Sequence, residues 1–499
     1  MLKYNIMSSD LIISKKDEVY AKIICEKHIA RELSEYFTFF VPGYQYVPAY
    51  RNKIWDGKIR LFILLNQTIY LGLLPYVEEF CKDRSYTIDY DDTRPDIEDD
   101  FSVYHAEKFI SGLNIPFEVR DYQIDAFVHG MQRRRALLLS PTASGKSLII
   151  YLLVRQFLDY QGLKGLIIVP TTSLVEQLFK DFSDYGWNTG HYTHRIYQGK
   201  PKETDLPLTI STWQSLYQLP KEYFEQFDYI IGDEAHLFKS QSLTKILTSC
   251  NKTKYRIGLT GTLDGSKTHK LVLEGLFGQV KKVITTKELM DNKQVSDFEI
   301  KCLVLKHPDE ICKAMKEYTY QEELGYLIMN EERNKFIKNL AVSLKENTLI
   351  LYQMVEKHGQ LLYNMILETE KLGNRKVFFV HGGTTTEERE NVRSIMETEN
   401  DAIIVASYGT FSTGINIRNL HNVIFASPSK SRVRNLQSIG RALRNSTGKS
   451  KATLYDIADD LTHKKHMNFT LRHFVERVKI YKGEQFSFKI YKIGLKNGK

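Results

Sequence analysis

The chain is poor in the features that staple small or secreted folds. It has five cysteines in 499 residues, Cys25, Cys81, Cys250, Cys302 and Cys312. Their number is odd, their spacing is scattered and no Cys-x-x-Cys occurs. This argues against a disulfide framework or a zinc site and fits a reducing compartment. Residues 1–10 lack the apolar core of a secretory signal. There is no short-period repeat and no low-complexity segment. One long stretch, residues 61–77, carries no charge. Asn66-Gln67-Thr68 interrupts it and Pro75 sits near its end, so it reads as two short strands about a polar turn rather than a membrane span. The expectation is a soluble cytoplasmic protein with no membrane partner.

What is present is ordinary globular material, 42% hydrophobic and 26% charged. At ~150 residues per domain this length suggests about three domains. Lys and Arg number 69 against 60 Asp and Glu, a net charge of +9. Residues 461–499 hold ten Lys/Arg against Glu476 and Glu484, so the tail carries nearly all the excess. A basic tail fits a polyanion partner and equally a solubilising role. Within it, Arg472 to Val478 has the pattern of a helix packed on a core, and Phe486–Tyr491 that of an edge strand.

Residues 1–90 read as a small α/β module, with strands at Ile59–Leu65 and Ile69–Leu74 and helical spacing from Glu26 to Phe40. Seven acidic residues then crowd Asp89–Asp100, which marks a boundary. Beyond it, apolar runs alternate with amphipathic helices. The runs are Ala136–Leu139, Gly165–Val169, Leu208–Ile210, Tyr229–Ile231 and Arg256–Leu259, then Thr348–Leu351, Lys376–Val380, Ala402–Val405 and Asn422–Phe425. Such runs indicate parallel strands covered on both faces. The expected class is α/β, with two tandem doubly wound domains, 91–284 and 285–499, behind the 1–90 module.

Two segments carry chemistry. Ser140-Pro-Thr142-Ala-Ser144-Gly145-Lys146-Ser147 follows a strand and precedes a helix. A tight loop ending in Gly-Lys-Ser at a helix N-terminus cradles phosphate with its N–H groups. Lys146 would reach the β/γ-phosphates of ATP, Ser147 would ligate Mg2+, and Thr142, Ser144 and Gly145 would line the loop. Ser140 stands where the general pattern has glycine, so a chance Gly-Lys-Ser remains the alternative for this segment alone. The apolar strand Tyr229–Gly232 ends in Asp233-Glu234-Ala235-His236. Asp233 would hold Mg2+ and Glu234 would take a proton from an attacking water.

Further motifs give the chain its resemblance to superfamily 2 helicases and translocases, over about Arg120 to Asp460. The family pattern implies that Arg120 and Gln123 of Arg-Asp-Tyr-Gln read adenine. It implies that Thr171 and Thr172 of Val-Pro-Thr-Thr, and Thr212 of Ser-Thr-Trp-Gln, hold a nucleic-acid strand. Leu259-Thr-Gly-Thr262 matches the element that couples hydrolysis to movement. Ser407 to Asn416 matches the motif touching both strand and nucleotide, with Thr413 on the strand and Gly414 and Asn416 on the nucleotide. Many relatives have Asp where Asn416 stands. Gln437-Ser-Ile-Gly-Arg441-Ala-Leu-Arg444 matches the arginine-finger motif. Arg441 and Arg444 are three apart, so they share one helix face. There they could meet a γ-phosphate or simply be solvated.

The resemblance implies RecA-like parallel-sheet motor domains. The segment Asn52-Lys-Ile-Trp55-Asp56-Gly57-Lys58-Ile-Arg60-Leu61, Arg133–Arg135 and Ser407-Tyr-Gly resemble phage branch-migration helicases of this superfamily. That implies an ATP-driven DNA motor acting on forks, four-way junctions and R-loops in recombination, replication and repair, in bacterial host cytoplasm. An RNA helicase and the motor subunit of a restriction-type complex are the alternatives, because phosphate-tracking motifs do not separate DNA from RNA. A catalytically dead nucleotide-gated scaffold is disfavoured by the intact Lys146, Asp233, Glu234, Arg441 and Arg444.

Overall fold

A computed structural model describes residues 9–91, 100–414, 417, 419–427, 431, 436, 438–440 and 451–495. The chain divides into two compact units, one running to Val283 apart from Pro141–Ser144 and the other from Ile284 on. Among the described residues no helix is long and apolar enough to cross a membrane.

The N-terminal module is a mixed sheet of β1 (Leu11–Lys15), β2 (Tyr20–Cys25), β5 (Phe62–Ile63), β6 (Thr68–Tyr70) and β7 (Ile88–Tyr90), in the order β5-β6-β2-β1-β7. β3 (Thr38–Phe40) and β4 (Lys58–Arg60) form a separate antiparallel ribbon. Two expectations shift here. The helix expected over Glu26–Phe40 stops at Tyr36, because Thr38-Phe39-Phe40 pairs with β4 as β-branched and aromatic residues favour. The strand expected over Ile69–Leu74 ends at Tyr70, because Pro75 is preorganised for the first turn of the helix Leu74–Arg84.

The first large sheet contains β8 (Arg135–Leu139), β9 (Gly165–Val169), β10 (Thr193–Ile196), β11 (Leu208–Thr212), β12 (Tyr229–Asp233), β13 (Tyr255–Thr260) and β14 (Val280–Lys282). All are parallel, in the order β10-β11-β9-β12-β13-β8-β14. β12, β13 and β8 are parallel neighbours, so the loops that follow them open together at one end of the sheet, where ligands of such sheets bind. Arg256 on β13 is fully buried. Its guanidinium donates to the carbonyls of Leu247, Cys250 and Leu276, at 2.6, 2.8 and 3.0 Å. It thereby closes the C-terminal ends of the helices Gln241–Ser249 and Lys267–Phe277, where partial negative charge favours a cation.

The acidic segment does not divide the core. Leu11, Ile23, Leu33, Leu71, Leu73, Val77 and Phe80 of the module belong to the same buried cluster as Leu137, Leu166, Ile230, Leu271 and Phe277 of the sheet. The approach is backbone to backbone: a Cβ on Gly72 would lie 1.9 Å from the Glu274 carbonyl oxygen. Buried Glu274 accepts from the Tyr76 hydroxyl at 2.7 Å and from the Val280 N–H at 3.1 Å. Arg135 donates to Glu18 at 2.6 Å. Arg135 is thus an intramolecular tie between module and sheet, whatever its neighbours Arg133 and Arg134 do.

The second unit carries β15 (Asp297–Lys306), β16 (Thr348–Tyr352), β17 (Val377–Val380), β18 (Ile403–Ser407), β19 (Asn422–Phe425), β20 (Lys451–Asp460) and β21 (Ser487–Gly494). All pairs are parallel, in the order β17-β18-β16-β19-β20-β15-β21. The basic tail supplies the helix Phe469–Gly483 and the edge strand β21. Arg477 of that helix is buried and pairs both Nε and Nη2 with Asp456 of β20, at 2.8 to 3.0 Å. At least this arginine of the tail is structural rather than a surface charge.

Candidate functional site

The loop after β8 is shaped by its own backbone. Ser140 is buried, and its N–H bonds the Thr260 carbonyl at 2.8 Å, extending the β8–β13 pairing by one residue. The chain then turns through Ala143 (φ 69°) and Gly145 (φ 81°), both left-handed. Gly145 caps the helix Lys146–Gln161. A Cβ on it would lie 2.3 Å from Gln123 Nε2, so glycine is required by conformation and by space. Ser144 Oγ closes the turn on the Pro141 carbonyl at 2.6 Å. Lys146 Nζ lies 3.4 Å from the Ser140 carbonyl, and Ser147 Oγ lies 2.8 Å from the Tyr185 hydroxyl. Thr142 is half-buried in the same loop.

Gln123 is buried beside this loop, and its Oε1 accepts the Arg120 N–H at 3.0 Å. That bond fixes the amide with its NH2 toward Gly145. Arg120 itself donates to the Tyr122 hydroxyl at 2.8 Å.

The two carboxylates stand at the end of β12. Asp233 is 8% exposed. Burial first, and then the charge of Glu234, raise its carboxyl to about 6, while Lys146 opposes the shift. Lys146 therefore lies within electrostatic reach of Asp233. Glu234 is left-handed (φ 51°), an uncommon state for a residue with a Cβ, of the kind that clusters at functional sites. Its N–H bonds Asp233 Oδ1 at 2.9 Å.

His236, to which the motif pattern assigned no role, adds a link. Its Nδ1 lies 3.2 Å from Glu234 and 2.9 Å from Thr260 Oγ1. Thr260 donates its own proton to the Thr262 carbonyl at 3.1 Å. His236 Nδ1 must therefore carry the proton shared by its two acceptors. The Asp-Glu-Ala-His and Leu-Thr-Gly-Thr segments are thus joined by one hydrogen-bonded chain.

The carboxylate, hydroxyl and phosphate-facing N–H set suits ATP with Mg2+. Asp233 and Ser147 offer hard oxygen ligands, and the mutual repulsion of two neighbouring carboxylates is what a divalent cation offsets.

Of the residues expected on a nucleic-acid strand, Thr171 caps the helix Thr172–Asp184 by accepting the Leu174 N–H at 3.4 Å, and Thr172 is exposed. Thr212 differs. It is 5% exposed and its hydroxyl meets Ser215 Oγ at 3.1 Å, so the turn itself uses that group. Thr413 and Gly414 lie in the helix Tyr408–Gly414, whose end is described in backbone only. Asn416, Arg441 and Arg444 lie outside the described residues.

In the N-terminal module the Trp-Asp-Gly segment forms a turn. Trp55 Nε1 donates to the Lys58 carbonyl at 3.0 Å, Asp56 accepts the Lys58 N–H at 3.1 Å and pairs with Arg60, and Gly57 is left-handed. Beside it lies an open groove lined by Tyr50, Arg51, Lys53, Ile54, Trp55 and Asp56.

Comparison with known proteins agrees with this layout. The family described as "DNA helicase UvsW, N-terminal" matches residues 10–91. "Type III restriction enzyme, res subunit" matches residues 116–265, and "Helicase conserved C-terminal domain" matches 331–446. The ATP-dependent DNA helicase uvsW of Enterobacteria phage T4 is 35% identical, over 97% of this chain and 100% of that protein. The DNA 3'-5' translocase XPB2 of Sulfurisphaera tokodaii is 22% identical over 68% of this chain and 82% of its own. The crystal structure of T4 UvsW aligns with a TM-score of 0.52 at 33% identity, covering 98% of this chain and 100% of that one. A putative HsdR subunit fragment of a type I restriction enzyme from Vibrio vulnificus, 14% identical with a TM-score of 0.58, covers 88% of this chain and 77% of that one, a likeness of fold. With its N-terminal module and both parallel-sheet domains matched along its length, the chain belongs to the UvsW family of superfamily 2 DNA helicases.

Proposed function

We propose that the protein is an ATP-dependent DNA helicase that remodels branched DNA, driving Holliday-junction branch migration and fork regression in the recombination, replication and repair of a phage in its host's cytoplasm. The observation that carries this reading is that similarity to a phage DNA helicase spans the whole chain, accessory module included. Likeness confined to the motor would have left the substrate open.

In this reading Gln123 and Arg120 hold adenine, and the N–H groups from Thr142 to Ser147 surround the phosphates. Lys146 neutralises charge between the β- and γ-phosphates. Ser147 and Asp233 would hold Mg2+, which would supply charge to offset that of the phosphates. Glu234 orients the attacking water and takes its proton, and its carboxylate is steadied by the His236 N–H. Through His236 and Thr260 a change at Glu234 reaches the next motif. By the family resemblance, Gly414 and Asn416 are the nucleotide-contacting positions of the second unit, and Arg441 and Arg444 are its arginine fingers. Thr171, Thr172, Thr212 and Thr413 lie along the strand path. Given the occupied Thr212 hydroxyl, the N–H groups of that turn are the better phosphate donors.

The module offers a second surface of the right chemistry. Phe40 stacks on Tyr44 at 4.7 Å and carries the Lys58 ammonium at 5.0 Å, while Tyr46 and Ile54 are 73% and 79% exposed beside Arg51 and Lys53. Exposed aromatics among cations suit unpaired bases and backbone.

The test is ATPase stimulation across single-stranded DNA, duplex, four-way junctions of scrambled sequence and structured RNA, with ATP-dependent conversion of a mobile junction. Strongest stimulation by junctions, without sequence preference, is expected. Affinity should fall with salt at about −0.7 to −0.9 per phosphate contact in log–log slope. Unwinding of RNA with no action on junctions would move the protein to the RNA helicases.

A further inference from the structure

Ser147 has a partner that none of the motifs supplies. Its Oγ lies 2.8 Å from the hydroxyl of Tyr185, 38 residues away. Tyr185 closes the C-terminus of the helix Thr172–Asp184, its N–H bonding the carbonyls of Asp181 and Ser183. The ring is wedged edge-on between Tyr151 at 5.3 Å and Phe117 at 5.4 Å. Tyr151 is four residues beyond Ser147 on the same helix, hence on the same face. Tyr185 therefore has little freedom to turn away.

The direction of the bond matters. A serine hydroxyl that ligates a cation commits an oxygen lone pair and keeps one proton to donate. If Tyr185 accepts that proton, Ser147 presents its lone pairs to the cation. If Tyr185 instead donated, it would compete for them.

The other end of Tyr185's helix is the Thr171–Thr172 turn. Thirteen helical residues span about 20 Å. One rigid element thus runs from the proposed strand contact to the proposed metal ligand.

We propose that Tyr185 is a positioning residue that orients the Ser147 hydroxyl for the divalent cation and ties that orientation to nucleic-acid contact at Thr171–Thr172. The proposal rests on the reading of Ser147 as a cation ligand.

Binding of a fluorescent ATP analogue is measured in EDTA and across a Mg2+ titration, with and without single-stranded DNA, for wild type, Tyr185→Phe and Ser147→Ala. Tyr185→Phe keeps the ring and removes only the hydroxyl. The expected result is unchanged affinity in EDTA, with half-saturating Mg2+ raised about two- to tenfold, as befits loss of one hydrogen bond. DNA should lower the half-saturating Mg2+ of wild type and leave that of Tyr185→Phe unmoved. The proposal is overturned if Tyr185→Phe matches wild type in Mg2+ dependence, if its EDTA affinity falls equally, or if DNA shifts both proteins alike or neither. If Ser147→Ala leaves the Mg2+ dependence intact, the reading of Ser147 fails first. A normal Tyr185→Phe beside a defective Ser147→Ala fails only the role of Tyr185.

Discussion

His358 gives the second unit a pH dependence whose size follows from its surroundings. It is fully buried, and Asn334 and Ser427 hold both ring nitrogens. Asn334 uses its NH2 on the Ile328 carbonyl, so its Oδ1 must accept from His358 Nε2–H, at 3.2 Å. Nδ1 then accepts from the Ser427 hydroxyl at 3.0 Å, and Ser427 in turn takes the Gln353 N–H at 3.1 Å. Protonating Nδ1 would break the Ser427 bond, so this arrangement requires a neutral ring. Burial first, and then the Arg333 guanidinium, lower the imidazole from 6.5 to about 3, against the opposite pull of Asp459. The unfolded chain therefore binds a proton that the folded chain refuses between about pH 6.5 and 3. Stability from this group is complete above pH 6.5 and is lost as pH falls through that window. At about 1.4 kcal/mol per pH unit, the loss on going from pH 6.5 to 5 is about 2 kcal/mol. Asp459, whose carboxyl Arg333 and His307 hold below its usual range despite burial, adds its own loss only in stronger acid. The three tryptophans, Trp55, Trp187 and Trp213, all lie in the first unit and are blind to this event. Hydrogen exchange of peptides from β16 and β19, corrected for intrinsic rates, reads it directly. Wild type should lose about 2 kcal/mol of protection between pH 7 and 5. His358→Gln, which can keep the donor and acceptor but cannot titrate, should stay flat. Parallel profiles for the two proteins would refute the linkage.

Glu234→Gln should bind ATP and DNA yet hydrolyse roughly 10²–10⁴-fold more slowly, the usual cost of losing a general base; a loss under tenfold in single-turnover assays would assign water activation to another group. Deleting residues 1–91 should give an insoluble or strongly destabilised chain, because it strips the module's share of a common core. Recovery of a soluble truncation with wild-type ATPase and melting temperature would mean that the packing across Gly72 and Glu274 contributes little.

The strands that carry the motifs were legible because their chemistry sits at the ends of apolar runs. β8, β9, β11, β12 and β13 lie where those runs were seen. The strand β20 was not foreseen, since Asp456 and Asp459 break its apolar pattern. Both are buried and answered by distant partners, Asp456 by Arg477 and Tyr481, Asp459 by Arg333 and His307. A charge in a central strand is intelligible only once its counter-charge is in view. The same limit hid Tyr185, whose partner Ser147 is remote in the chain, whereas the His236 link lay inside a motif already quoted. The acidic stretch near Pro95 falls between the two family matches that end at residue 91 and begin at 116, yet the apolar face of the module continues into the sheet, which composition alone does not reveal.

That continuity has a consequence for how the protein is made. Residues 1–91 leave the ribosome well before the helix Lys267–Phe277 that covers the Leu71–Leu73 turn, which is completed only with Phe277. At 5–20 residues per second the interval is roughly 10–40 s. Throughout it the nascent module presents an apolar face with no cover of its own, followed in sequence by the seven acidic residues of Asp89–Asp100. Placed there, the run of like charge can act as a gatekeeper, keeping neighbouring nascent chains apart until the sheet arrives.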